Sequence, residues 1–432
     1  MEHSEPNTPL RRSAAALTKP VGALLLAGVA LCGGRNAAAQ SVLLPPPERT
    51  LTPAVLQPFA TNGMIFSPSG ASAPTLASPF FAGPVVFRPH VFYRFTAGDG
   101  IPTGGTNQVS TTIQEISPGM LFELGRHWTL DYTPTWRVYA NDELQDTLEH
   151  TAILSGGTVY GDWTLGLRQS FALTATPLIE TGGPTEQENY VTELNASYRF
   201  NSKCSLDLAA SQRFLISSDV NGFREWSTLD WFSYQIQPDL EVGVGAGFGY
   251  VDVDTGADMT YEQLQARLHW RFTDKVSLQL HGGLEDRQFL SGGGADLISP
   301  VAGATIQYQP FTHTRLSLNV DHIVTPALTF TGSSQNQTAE STTIAARVNQ
   351  RLLGHLYLDL GGEYHEVTYS AAGAGASNRE DEYYALTARL SCALLKRANV
   401  AVFCQWSENS STPAAFAGYR TTQVGVEVGY RF

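Results

Sequence analysis

The sequence predicts an all-β fold: a transmembrane, antiparallel, up-and-down β-barrel of about 18 strands, with short turns at one end and longer loops at the other. Three observations lead to this prediction. In the last ten residues, the even positions from Val424 to Phe432 are apolar, and the odd positions are polar or glycine. Such alternation places the two kinds of side chain on opposite faces of a strand. The second observation is that similar segments recur along the chain. The third is that the polar breaks between them are alternately very short and longer.

Residues 1–39 have the composition of a secretory signal peptide. Arg11 and Arg12 precede the apolar run Val21–Leu31, and the small residues 37–39 follow it. A basic start, an apolar centre and a small-residue cleavage site are the three parts of such a signal. The apolar run is too short to cross a bilayer, which takes roughly 20 helical residues. We therefore expect export from the cytoplasm and cleavage near Ala39.

Residues 40–84 form a separate proline-rich segment. Nine prolines lie between Pro45 and Pro84, and strand-like alternation is absent. Because proline lacks an N–H and stiffens the chain, this composition favours an extended periplasmic segment. The alternative is that part of the segment folds back into the barrel as a plug, with Phe80-Phe81 as its anchor.

From Val85 to the end, alternating segments of roughly 11–17 residues are joined by breaks of turn composition. The eight short breaks are Gly125-Arg126-His127, Tyr160-Gly161-Asp162, Asn201-Ser202-Lys203, Gln237-Pro238-Asp239, Thr273-Asp274-Lys275, Phe311-Thr312-His313, Leu352-Leu353-Gly354 and Lys396-Arg397-Ala398. The clearest longer breaks are Gly98–Thr106, Pro177–Glu186, Asp254–Asp258, Ser291–Ala295, Thr331–Gln337, Ala371–Asn378 and Asn409–Gly418.

Eight short turns join sixteen strands in pairs, and one further strand at each end makes eighteen. An even number puts both termini at the short-turn end, which is periplasmic in bacterial barrels. Alternation is weakest over Glu225–Ile236 and Leu297–Gln309, so sixteen strands is the alternative count. In lipid no water satisfies an open sheet edge. The last strand must therefore pair with the first, near Val85–Phe95.

The strands are longer than those of a soluble sandwich, which average about 5–6 residues, and they suit a tilted strand that crosses hydrocarbon. Aromatic residues beside the short turns predict an interfacial girdle. They are Trp128, Trp163, Phe200, Trp270, Phe272 and Phe432.

Charge and cysteine content exclude some functions. The formal net charge of −13 argues against nucleic acid as a partner. Cys204, Cys392 and Cys404 remain after signal cleavage, and an odd number gives no complete disulfide framework. If Leu394 pairs with Val400, Cys392 and Cys404 are diagonal neighbours, about 7–8 Å apart. Two alternatives stay open: Cys392 and Cys404 form a disulfide, or both face lipid as free cysteines.

The signal peptide, the hairpin repeat and the terminal Val426-Glu427-Val428-Gly429-Tyr430-Arg431-Phe432 resemble the bacterial outer-membrane β-barrel superfamily. Within it, the texture of the repeat is similar to the β-barrel porin proteins of type 2. The resemblance implies residence in the outer membrane of a Gram-negative cell, surrounded by its lipid. It also implies that the last strand, with Tyr430 and Phe432, is the signal recognised by the barrel assembly machinery.

The alternation predicts which charged side chains line the lumen. Both signs occur, so opposed acidic and basic walls could select polar solutes; the alternative is that the charges pair with each other. The main candidates are Arg137, Arg168, Arg199, Glu241, Arg267, Arg271, Arg315, Asp321, Asp359, Arg389, Glu427 and Arg431.

Two motifs are weighed and set aside. The glycine run Gly243–Gly249 lies inside an alternating strand, not in the strand–turn–helix context of a dinucleotide site. There it would thin the wall or let neighbouring side chains lie across it. Asp252–Asp258 resembles a calcium loop, but Gln263 stands where an EF-hand needs glutamate.

We expect no metal, no cofactor and no enzymatic activity, because no nucleophile or ligand cluster stands out. No external loop is expected to be long enough to fold inside the barrel. The predicted function is a porin-like channel for small polar solutes or saccharides, and a homo-oligomer is left open. The alternative is a structural or surface-interaction barrel without transport.

Overall fold

The structure, a computed structural model, describes residues 80–104, 107–179, 181, 183–291, 296–328, 337–371, 379–395, 397–412 and 418–432. The predicted signal peptide and almost all of the proline-rich segment lie outside the described residues. No helix in the described ranges could span a membrane.

The chain forms β-strands almost without interruption from Phe80 onward. They are β1 Phe80–Ala82, β2 Val85–Gly104, β3 Asn107–Leu124, β4 Trp128–Tyr139, β5 Thr147–Tyr160, β6 Trp163–Pro177, β7 Pro184–Arg199, β8 Cys204–Ser217, β9 Phe223–Gln237, β10 Leu240–Val253, β11 Met259–Thr273, β12 Val276–Phe289, β13 Leu297–Phe311, β14 Thr314–Pro326, β15 Gln337–Arg351, β16 Leu356–Ala371, β17 Arg379–Ala393, β18 Ala398–Thr412 and β19 Tyr419–Arg431.

Strands β2 to β19 close into one antiparallel barrel of eighteen strands. Each pairs with the next along the chain, and β19 pairs with β2 from Thr422↔Asp99 to Arg431↔His90. The predicted closure and the count of eighteen are confirmed, and β9 and β13 are regular strands despite their blurred alternation. Closure leaves no long free edge in the described wall. This meets the requirement that backbone N–H and C=O groups in lipid are hydrogen-bonded within the sheet.

The short-turn end follows the predicted turns closely. Six strands restart at the predicted residue, while β16 and β18 begin one residue away, at Leu356 and Ala398. The predicted break Gly98–Thr106 is wrong, because β2 continues to Gly104. Its glycines and proline coincide with irregularities in the β2–β3 ladder, where Gly100 has a φ of 72°.

The predicted cysteine register is also wrong. Cys392 lies opposite Val400 and Cys404 opposite Ala388, so the two are four residues apart along the ladder rather than diagonal neighbours. The three described cysteines are free thiols. The β17–β18 register is shifted by two residues from the assumed one, because Val400 pairs with Cys392 and not with Leu394.

The outer face carries an apolar band between two girdles of aromatic rings. Near the short turns, Trp163, Tyr198 and Phe200 form a row with centroids 4.9 and 4.8 Å apart. Near the long loops, Trp226 and Tyr250 stack at 5.9 Å. Along β9, Trp226 and Tyr234 are eight residues apart, roughly 27 Å of strand, or about 20 Å along a tilted axis. This spacing is close to the roughly 25 Å apolar band of transmembrane barrels.

Strand β1 covers a stretch of β2 at the short-turn end that β19 does not reach. Phe80 pairs with Phe87 and Ala82 with Val85, below the point where Phe432 N donates to Pro89 O. The end of the proline-rich segment is therefore fixed at the short-turn rim beside the carboxyl terminus. That this segment plugs the lumen stays a prediction.

The seam between β2 and β19 is held by a buried ion pair as well as by the backbone ladder. Arg94 Nε donates to Glu427 Oε1 at 2.9 Å, and Arg94 Nη2 donates to the same oxygen. The two side chains are 11% and 2% exposed. Arg389 Nε donates to the other carboxylate oxygen at 2.8 Å, so Glu427 joins β17, β19 and β2.

We expect Glu427→Gln to destabilise the barrel by about 3–5 kcal/mol, because two buried guanidinium groups lose their shared partner. Urea unfolding in lipid vesicles, followed by tryptophan fluorescence, measures the change. Glu408→Gln is the matched control, since its pair with Arg420 also joins β18 to β19 but is exposed. Equal unfolding midpoints for the two variants would contradict the role of Glu427.

Candidate functional site

The register of the barrel determines which side chains share the face of Glu427. Directly opposed residues in antiparallel strands lie on the same face. On this face, parts of the chain far apart in sequence meet: Asn409 Nδ2 donates to Ile179 O at 3.4 Å, which identifies it as the interior.

All twelve residues predicted to line the lumen lie on the interior face. They are Arg137, Arg168, Arg199, Glu241, Arg267, Arg271, Arg315, Asp321, Asp359, Arg389, Glu427 and Arg431. Their role in conduction stays a prediction.

Seven interior side chains form a continuous ion-pair ladder across the seam. Its members alternate in sign: Asp359, Arg389, Glu427, Arg94, Glu115, Arg137 and Glu149. Arg137 lies 2.7 Å from Glu115 and 2.6 Å from Glu149. Arg389 and Asp359 are 3.7 Å apart, as are Arg94 and Glu115.

The sequence singled out only four members of this ladder. Arg94 and Glu115 were missed because alternation is less regular in β2 and β3, which contain Pro89, Pro102 and Pro118. Glu149, which lies on β5, was also missed. The number of residues between each predicted short turn and these three side chains could have assigned them to the interior face.

A second charged group lies on the other side of the barrel. Arg267 Nη2 contacts Asp207 Oδ2 at 2.5 Å and Ser233 Oγ at 2.7 Å, and lies 3.6 Å from Glu241. Its guanidinium group also stacks over the ring of Trp231, 4.8 Å from the centroid. Arg267 therefore spans from β11 to β8 and lies flat along the wall.

The glycine run of β10 makes this flat arrangement possible. A Cβ on Gly245 would lie 2.7 Å from Trp231 Cδ2, and one on Gly249 would overlap the ring of Tyr261. Glycine here is needed for close approach, not for an unusual φ. The expectation that these glycines let neighbouring side chains lie across the wall is confirmed. The same device recurs at Gly425, which is covered by the ring of Phe403.

Two loops at the long-loop end turn into the barrel, contrary to expectation. Leu178 from the β6–β7 loop and Leu328 from the β14–β15 loop meet in one buried apolar cluster. Its other members are Leu215, Phe223, Val251, Met259 and Tyr261. The backbone also participates, since Asn221 N donates to Leu328 O at 2.8 Å.

The β6–β7 loop also reaches the wall near the seam. Ile179, next to Leu178, packs with Tyr383, Ala385 and Tyr419 from β17 and β19. Two adjacent residues thus touch β8–β11 on one side and β17–β19 on the other, which narrows the interior at this level. No local sequence signal indicates this narrowing, because it depends on contacts between residues more than 100 positions apart.

The charged groups at the long-loop end of the interior are largely paired. Arg287 lies 2.7 Å from Glu285 and donates to Val324 O, and Arg379 lies 2.6 Å from Asp381. Arg213 is 3.7 Å from Glu225. By contrast, the described residues bring no carboxylate within 4.0 Å of Arg199, Arg271 or Arg315, near the short-turn end.

The acidic loop considered for calcium is occupied by its own neighbours. Arg224 lies 3.0 Å from Asp252 and 3.7 Å from Asp254, while Asp258 accepts from Val253 N and Tyr250 OH. Within the described ranges, no three His, Cys, Asp or Glu side chains are grouped as metal ligands.

These features define a class of protein. A closed barrel with an apolar outer band, two aromatic girdles and a charged interior is a transmembrane β-barrel, the architecture of proteins of the bacterial outer membrane.

Comparison with solved structures returns outer-membrane channels of low identity. The outer membrane protein OpdK from Pseudomonas aeruginosa is 13% identical, with a TM-score of 0.44 over 80% of this chain and 99% of that one. OccAB3 from Acinetobacter baumannii is 9% identical, with a TM-score of 0.43 over 80% and 99%. P. aeruginosa OccK5 is 11% identical, with a TM-score of 0.43 over 82% and 99%.

No protein-family model and no curated protein matches the chain. The identities and TM-scores of these solved structures are too low to indicate a shared solute or a shared family.

We expect Gly245→Ala to push Trp231 off the wall and to disturb its stacking with Arg267. The overlap should cost about 1–3 kcal/mol and lower the single-channel conductance, because the displaced ring would enter the lumen. Gly282→Ala is the control, since a Cβ there meets nothing closer than 3.7 Å. Indistinguishable stability and conductance in the two variants would disprove the explanation.

We also expect Arg267→Glu with Arg271→Glu to shift ion selectivity toward cations, because two positive charges on the interior face become negative. The reversal potential in a salt gradient measures the shift. Arg420→Glu reverses one charge on the exposed outer face and should leave the potential unchanged. An unmoved potential in the double variant would mean that these residues do not line the ion path.

Proposed function

We propose that this protein is an outer-membrane channel for the passive passage of small polar solutes, including saccharides. The observation that carries the proposal is a charged interior inside a lipid-facing barrel, narrowed by two inward loops at one level. An 18-strand barrel is wide enough for an aqueous path. The inward loops reduce that width without needing a separate plug.

The arrangement of the interior side chains supports passage rather than a merely polar lining. Arg267, Trp231 and Tyr261 are held flat against the wall by the glycines of β10. The ion-pair ladder holds seven further charges along the opposite wall. Side chains fixed in this way leave the centre of the lumen to water and solute, whereas freely extended arginines would obstruct it.

The apolar cluster would determine which solutes pass. Leu178 and Leu328 replace hydrogen-bonding surface with aliphatic surface at the narrow level. A solute that enters there loses part of its hydration, which is costly for charged and large polar molecules. Paired arginines next to the cluster offer compensating contacts. We therefore propose that the narrow level sets both the size limit and the polarity limit.

The competing function is a structural or surface-interaction barrel that transports nothing. Planar-bilayer recordings separate the two, because stable single-channel steps support a channel and silence supports the structural role. Liposome swelling with sugars of increasing size then gives the size limit of the channel.

We expect Leu178→Ala combined with Leu328→Ala to raise the single-channel conductance and the sugar size limit, since both side chains narrow the same level. The control is Leu318→Ala, an equal truncation on the lipid-facing side of β14. If the double variant folds, as judged by urea unfolding, and conducts as the wild type does, the proposed constriction is wrong.

A further inference from the structure

Three arginines lie together on the interior face near the short-turn end of β14 and β15. Arg315 is opposite Asn349, which places Arg347 and Arg351 diagonally on either side of it. Diagonal neighbours on one face are about 7–8 Å apart, within reach of each other's long side chains. We refer to Arg315, Arg347 and Arg351 as the arginine triad.

The triad differs from most other interior arginines in its surroundings. The described part of the chain brings no carboxylate within 4.0 Å of any of its three guanidinium groups. The acid placed nearest by register is Asp359. Its oxygens are engaged by Asn349 Nδ2 and by Arg389, 3.7 Å away. Arg94, Arg137, Arg267, Arg287 and Arg379, by contrast, each have a carboxylate within hydrogen-bond distance.

The surface around the triad is rich in donors and accessible. Arg347 and Arg351 are exposed and Arg315 is half-buried. Arg351 is held by its Nε, which donates to Gly354 O at 2.5 Å, and by the ring of Tyr357, 5.8 Å from its guanidinium carbon. Ser317 lies opposite Arg347, and Gln307 opposite Ser317, on the same face. Three adjacent like charges repel one another. An anion bound between the three guanidinium groups would reduce this repulsion.

We propose that the arginine triad is a binding site for a phosphoryl group, either inorganic phosphate or the phosphate of a small phosphorylated solute. A guanidinium group presents a planar fork of donors that matches phosphate oxygens bidentately. Three forks from two adjacent strands suit a tetrahedral dianion better than a single planar carboxylate. The inference deepens the proposed channel function by naming an anion that the short-turn mouth retains, but the binding itself does not require conduction.

Isothermal titration of the detergent-solubilised full-length protein with inorganic phosphate tests the site. We expect saturable binding at pH 7.5 that is weakened at least about tenfold by Arg315→Gln with Arg347→Gln, because two of three charge-assisted contacts are lost. Arg199→Gln is the matched control: Arg199 is an exposed interior arginine at the same end of the barrel, on β7, also without a described carboxylate nearby. It should change the affinity by less than about twofold.

Succinate and acetate serve as comparison anions, and both should bind more weakly than phosphate. Absence of phosphate binding to the wild type, equal weakening in the Arg199 control, or succinate binding as tight as phosphate would each overturn the proposal. Urea unfolding of the double variant shows that it is folded before titration. Planar-bilayer recordings keep the two proposals apart: a silent protein that binds phosphate contradicts the channel only, and a conducting protein that ignores phosphate contradicts the site only.

Discussion

Closure of the sheet between β2 and β19 is the constraint on which the rest of the structure depends. A strand edge left open in hydrocarbon would expose N–H and C=O groups that water cannot reach. The ladder from Thr422↔Asp99 to Arg431↔His90 removes that edge, and β1 pairs with β2 at its short-turn end. Glu427 adds a contact on both sides of the last strand, to Arg94 on β2 and to Arg389 on β17. The same ion-pair ladder that holds the seam therefore also fixes the charges of one interior wall.

Interior side chains that reach past their nearest neighbour determine the shape of the lumen. Arg267 on β11 passes Gly243 to contact Ser233 on β9, and Tyr261 passes Gly249 to donate to Glu225 at 2.6 Å. Each such contact needs a residue without a side chain on the strand between. The glycines of β10 thus let long polar side chains lie flat along the wall and not extend into the lumen. The order of this wall therefore depends on paired charges, because an arginine that loses its carboxylate partner remains partly desolvated and unpaired.

The strands, the turns and the interior face could be predicted because they depend on local signals. A period of two assigns each side chain to a face, and composition marks the tight turns. The alternation therefore put Glu427 and Arg267 on one face without any knowledge of their partners. The inward loops could not be predicted in this way. Leu178 lies in a predicted loop and Leu328 just before one, and only their meeting inside the closed barrel makes them a constriction. The cysteine register failed for a related reason, because turn geometry at β17–β18 sets it and composition alone does not.

The described interior is divided into two kinds of surface along the axis. At the long-loop end, aliphatic side chains narrow the path and the neighbouring arginines are bound to carboxylates. At the short-turn end, Arg271, Arg315, Arg347 and Arg351 have no described carboxylate partner. In the proposed channel, a solute that has passed the narrow level would meet these arginines, whose charges act over about a Debye length of 8–10 Å. They would retain an anionic solute but not a neutral sugar, so the two should differ more in their rates of release than in their rates of entry.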